Sequence, residues 1–128
     1  MSGSAQAGLF VYAKDPIRMV VFYESILGMT RVHASEDLVV LQSPQIQLLV
    51  HAIPAHIAEQ IEIAIPPALR EEAALKFFFT VPSIASARQA ATALGGMVMT
   101  QTWQGGGFIA CNACDPEGNL FQLREPVM

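Results

Sequence analysis

Residues 8–14, GLFVYAK, alternate large and small side chains with the period of a strand that buries one face. Asp15 follows as a helix N-cap, with Pro16 in the first helical turn, where its missing N–H removes no hydrogen bond. The segment IRMVVFYESIL then repeats at helical spacing, Ile17, Val20, Tyr23, Glu24 and Leu27 marking the stripe, and Gly28 stands at the C′ position. MTRVHAS, DLVVLQS and IQLLVHAI read as three short strands, the last two joined at Pro44-Gln45. This half predicts the order β-α-β-β-β.

The second half predicts the same order. LKFFFTV is a strand, Ser83 caps the helix IASARQAATAL, and Gly95-Gly96 end it. MVMTQTW, GFIACNAC and NLFQLRE follow as strands, with turns at Gly105-Gly106-Gly107 and Asp115-Pro116-Glu117-Gly118. Between the halves runs a connector with three prolines, whose IEIAIP segment alternates and reads as an extra edge strand. The expected fold is α+β: two tandem βαβββ modules, residues 8–53 and 76–125, joined by a linker at 54–75 into one domain spanning 1–128.

Composition narrows the function classes. Hydrophobic residues make up 52% of the chain and charged ones 14%, which excludes intrinsic disorder. Seven Lys+Arg against eleven Asp+Glu give a net charge of −4, so no basic face is expected to bind nucleic acid. No apolar run reaches the ~20 residues that cross a bilayer. The opening MSGSAQAG lacks the basic and apolar regions of a secretory signal, so a cytoplasmic location and no membrane partner are expected. Cys111 and Cys114 have CxxC spacing, but no second ligand pair accompanies them, and positions three apart on a strand face opposite ways. Two packed thiols are the expectation.

The stretch LFVYAKDPIRMVVFYESILGM, with Asp15, Phe22-Tyr23 and Leu27-Gly28, together with the closing DPEGNLFQLRE, resembles the glyoxalase/bleomycin-resistance/dioxygenase (vicinal-oxygen-chelate) superfamily. The resemblance covers roughly residues 8 to 125. It implies paired modules whose curved, partly open sheets surround a ligand cleft, and homodimers whose clefts involve both subunits. In catalytic members a divalent metal sits in the cleft. Carried over by position, its ligands would be Gly8, Lys76 and Gln122. A glycine offers no side chain, an ammonium has no lone pair, and an amide oxygen brings no charge. No metal or other cofactor is therefore expected, and no catalytic residue is assigned. The resemblance then points to the metal-free bleomycin-resistance branch, in which a protein traps an antibiotic rather than altering it. The alternative is a lactoylglutathione-lyase or dioxygenase type of enzyme with rewired ligands such as His51 and Gln122.

Strand periodicity assigns the cleft face. If Gly8 lies on it, so do Phe10 and Tyr12; Phe78 shares a face with Lys76 and Thr80, Asn112 with Phe108, and Gln122 with Arg124. In IQLLVHA, burying Leu48 and Val50 turns His51 toward the cleft, although a histidine at a strand end also bonds readily to backbone. Trp103, the only tryptophan, falls just before the glycine-rich turn, at the rim. The candidate ligand-binding set is Phe10, Tyr12, His51, Phe78, Trp103, Phe108, Asn112, Gln122 and Arg124. Any one aromatic is as easily core; together, with Gly8 leaving room, they suit a planar, partly hydrophobic small molecule.

Overall fold

A computed structural model describes residues 5–127. Met1–Ser4, the start of the stretch read as lacking a signal, lie outside it, as does Met128. The first module comprises β1 (Gly8–Ala13), α1 (Pro16–Leu27), β2 (Thr30–Ala34), β3 (Leu38–Gln42) and β4 (Gln47–Ala52). After a short helix α2 (Ala55–Ala58), the second comprises β5 (Phe78–Thr80), α3 (Ile84–Ala93), β6 (Met97–Gly105), β7 (Phe108–Cys114) and β8 (Leu120–Pro126). Each module makes one four-stranded mixed sheet, in the orders β1-β4-β3-β2 and β5-β8-β7-β6. The orders match strand for strand, with β1 parallel to β4 and β5 parallel to β8. Neither sheet closes into a barrel. The fold is α+β, as the pattern predicted.

The helices start as expected: Asp15 accepts the Arg18 N–H at 3.2 Å and Ser83 Oγ accepts that of Ser86 at 3.1 Å. Each helix covers one face of its own sheet, and α1 packs on α3, so both modules feed one apolar cluster. The buried stripe of α1 is Met19, Val20, Phe22, Tyr23 and Ile26. This corrects the stripe read from spacing: Ile17 is exposed and Glu24 pairs with Arg31 at 2.8 Å. The stripe turns because α1 faces two neighbours, its own sheet and the second module. Phe121 meets Phe22 edge-on at 6.3 Å between centroids and stacks on Phe77 at 5.3 Å and 5°. Gly96 permits the approach, since a Cβ there would lie 2.3 Å from the Phe22 ring and 2.5 Å from the Cys114 carbonyl.

Three expectations need correction. IEIAIP forms no strand: residues 61–66 are irregular, the Ile61 carbonyl accepts from the Lys14 ammonium, and no sheet edge pairs with the segment. LKFFFTV contributes only Phe78–Thr80 to β5, because Phe77 turns into the core beside Phe121 and Phe79. Gly105 belongs to β6, leaving Gly106-Gly107 as the turn. Cys111 and Cys114 are unbridged and buried, as expected.

Candidate functional site

Each sheet has a helix on one face and lies open on the other. On β1, Val11 and Ala13 are buried while Phe10 and Tyr12 stand 53% and 57% exposed. Register sets their neighbours: Tyr12 opposite His51, Phe10 opposite Leu49, and Gly8 opposite Gln47. Phe10 and Tyr12 stack at 6.1 Å and 18°, and the Tyr12 ring lies 5.5 Å from that of His51. His51 shares the open-face row of Tyr12 and bonds through Nδ1 to the Ala52 carbonyl at 2.8 Å, the backbone bond expected of a histidine at a strand end. Gln47 donates to Gln42 at 2.8 Å on the same face. Leu49 takes part of the room expected at Gly8, its Cδ1 lying 3.3 Å from where a Cβ would be.

The second open face is built in rows across the strands. Phe78, Gln122 and Asn112 form one row; Thr80, Arg124, Ala110 and Trp103 the next; Pro126, Phe108 and Gly105 the third. Arg124, on β8, lies against rings on both neighbouring strands, its guanidinium carbon 3.6 Å from the Phe78 centroid and 4.2 Å from that of Phe108. Its Nε donates to Gln122 Oε1 at 2.8 Å. Gly105 is bare backbone under the Phe108 ring, which a Cβ would strike at 2.1 Å. Trp103 is 41% exposed beside Ala110, and Asn112 Oδ1 is buried without a hydrogen-bond partner. Such an acceptor costs about 1–3 kcal/mol.

The nine candidate residues thus fall into two groups: Phe10, Tyr12 and His51 on the first sheet, and Phe78, Trp103, Phe108, Asn112, Gln122 and Arg124 on the second. Two separate cavities take one group each. A cavity of about 160 Å³ is lined by Lys76, Phe77, Phe78, Gln122 and Arg124. Another, at His51, runs along Lys14, Asp37, Pro54 and Glu59. The modules meet through α1, α3 and the turn after β7.

The glyoxalase-like domain model matches residues 8–124. The chain belongs to that family. With it comes the glyoxalase/bleomycin-resistance/dioxygenase superfamily inferred from the Asp15 and DPEGN motifs. Among solved structures, the chain is similar to a glyoxalase/bleomycin resistance protein/dioxygenase family enzyme from Burkholderia phytofirmans PsJN, with TM-score 0.69, 16% identity, and 97% of this chain and 100% of that one covered. It is also similar to a bleomycin resistance determinant encoded on the transposon Tn5, with TM-score 0.63, 19% identity and coverage of 98% and 100%. A fosfomycin resistance protein from Mesorhizobium loti gives 0.63, 14%, 100% and 95%. At these identities the likeness shows the fold. No curated protein matches the sequence.

This glyoxalase-like domain does not carry side chains fit for the family's divalent ion at the corresponding positions. Gly8 has no donor, Lys76 is an exposed ammonium ahead of β5, and the Gln122 amide oxygen already accepts from Arg124. Nor do three His, Cys, Asp or Glu side chains converge anywhere among the described residues. Two or more anionic or imidazole donors are what such ions require.

The motif read as a plain turn does more than turn. Asp115 is fully buried and accepts from Tyr23 Oη at 2.6 Å, from the Glu117 and Asn119 N–H groups, and from Asn119 Nδ2. Burial pushes its carboxyl above the usual range against the pull of these bonds, and burial and then the Asp115 charge raise the Tyr23 phenol well above its own. Glu117 accepts the Lys14 N–H at 2.9 Å and the Asp15 N–H at 2.7 Å, tying the second module to the β1–α1 corner. Three polar residues in a five-residue turn were the available signal.

Proposed function

We propose that this protein binds a planar, partly hydrophobic small molecule without a metal ion and holds it rather than transforming it, in the manner of a resistance-type binding protein. The observation that carries the reading is the pair of open sheet faces, each lined with exposed aromatic rings and neither with a helix over it. Large exposed apolar faces mark binding surfaces. In this reading a homodimer sets the Phe10–Tyr12–His51 face of one protomer opposite the Phe78–Arg124–Phe108 face of its partner, making two clefts. Flat ligands gain from stacking on such rings. The imidazoles on these strand faces are His51 and, in the row of Phe10, His33; His51 donates through Nδ1 to a backbone carbonyl, which leaves its Nε2 as an acceptor toward a bound ligand. The similar folds of a bleomycin resistance determinant and a fosfomycin resistance protein are in keeping with a small-molecule ligand. The same reading keeps the protein in the cytoplasm, where its unbridged thiols stay reduced.

Two measurements on the untagged protein test it. After incubation with Ni²⁺, Zn²⁺, Mn²⁺ and Fe²⁺ and desalting, no stoichiometric metal is expected. A Trp103 fluorescence screen of planar compounds is expected to find ligands that also raise the melting temperature. Metal held at one ion per subunit and lost in His51→Ala or Gln122→Ala would replace this reading with the lyase or dioxygenase one.

A further inference from the structure

We infer that the ligand of this cleft is an aromatic acid, its carboxylate received by the terminal Nη groups of Arg124 and its ring laid on the surrounding aromatic surface. This rests on the binding reading above and narrows it to a chemical class.

Arg124 is fixed in place before any ligand arrives. Phe78 and Phe108 hold the guanidinium plane and Gln122 takes its Nε–H. Among the described residues neither Nη has a hydrogen-bond acceptor, and no carboxylate pairs with the side chain. What remains is a planar two-donor edge that matches the two oxygens of a carboxylate. Lys76 lines the same cavity and adds a second positive charge.

The sign of the field follows from the register. No Asp or Glu occupies any row of either open face; the charged strand residue there is Arg124, with Lys76 just before β5 and the imidazoles of His33 and His51 on the other face. Glu125, next in sequence, turns to the helix side and accepts the Ile84 N–H at 2.7 Å. Glu36 and Asp37 of the first module and Glu59 of the linker stand off the strand rows, in a cavity they share with Lys14 and the edge of His51. In a chain of net charge −4 this segregation selects an anion. A cation would face Arg124 and Lys76 directly. A neutral ring would cover a guanidinium edge without giving it an acceptor, which is unfavourable.

Calorimetric titration of the full-length protein with naphthoate, naphthamide, naphthylmethylammonium and inorganic phosphate tests this. Naphthoate is expected to bind at least about tenfold more tightly than naphthamide, as one charge-assisted bidentate contact allows. The ammonium and phosphate are expected to be weaker still, the first for its charge and the second for want of a ring. Arg124→Gln should make acid and amide bind alike, and Arg124→Lys should restore only part of the difference, with circular dichroism checking that each variant folds. Equal binding of acid and amide by the wild type, or an acid preference surviving Arg124→Gln, overturns the inference and leaves the aromatic cleft standing. Binding of none of the naphthyl compounds overturns both.

Discussion

The Tyr23–Asp115 contact ties a phenol of the first module to a carboxylate of the second with no water access to either. Because burial and the Asp115 charge raise the phenol, the native state keeps the Tyr23 proton at pH values where the unfolded chain has lost it. The resulting stabilisation is complete below about pH 10 and is lost as pH rises through the folded value. Tyr23→Phe is expected to cost about 1.5–3 kcal/mol at neutral pH, since it strips a donor from a buried carboxylate. Its deficit relative to wild type should shrink at about pH 10.5; urea unfolding at both pH values measures the two effects, and a constant deficit would contradict the assignment. Gly96 makes a separate case, in shape rather than charge. Gly96→Ala drives a methyl into the Cys114 carbonyl and the Phe22 ring and should cost about 1–3 kcal/mol in thermal unfolding. Gly106→Ala, with nothing within 4 Å and no positive φ, should be close to neutral. Period two in the sequence was enough to separate Phe10 and Tyr12 from Val11 and Ala13. It was not enough for Asp115 and Glu117, because polar residues in a turn are ordinarily solvated and only the closure of one module on the other buries these.

Among elements, the β1–α1 corner depends on a residue a hundred positions away. The Glu117 carboxylate accepts two successive backbone N–H groups, one at the end of β1 and one at the α1 cap. Glu117→Gln leaves one oxygen and sets an amide NH₂ against a second N–H donor, so a loss of about 1.5–3 kcal/mol is expected. Faster hydrogen exchange at the Lys14 and Asp15 amides should accompany it, whereas the exposed Glu71→Gln should change neither. Unchanged exchange at those two amides would show that the corner holds without Glu117. The same scale explains where the reading of elements failed. Alternation in IEIAIP gave a strand-like pattern, yet a strand also needs an edge to pair with, and this segment spends its contacts on Lys14 and the wall of a cavity with Arg18 and Glu117. The first helix was placed to the residue, from cap to C′, but its buried stripe was misjudged because spacing alone does not reveal a second packing partner.

For the whole molecule, the tandem repeat was legible because both halves carry the same order of periods and breakers. Which open face meets which was not, since periodicity says what residues share a face and nothing about what that face meets. The proposed dimer makes the parity of β1 a test of that question. Phe10→Glu puts a charge on the open face, where the side chain is half exposed in the single chain, so the fold should survive with a melting temperature close to wild type. Val11→Glu, one residue on, buries the same charge in the shared core and should prevent folding. If the open faces meet between protomers, Phe10→Glu should shift the protein from dimer to monomer by light scattering on a sizing column and abolish ligand binding, while circular dichroism stays native. A native dimer in Phe10→Glu would place the interface elsewhere on the surface. A native monomer that still bound ligand would make the second sheet sufficient by itself, with Phe78, Arg124 and Phe108 as the whole site.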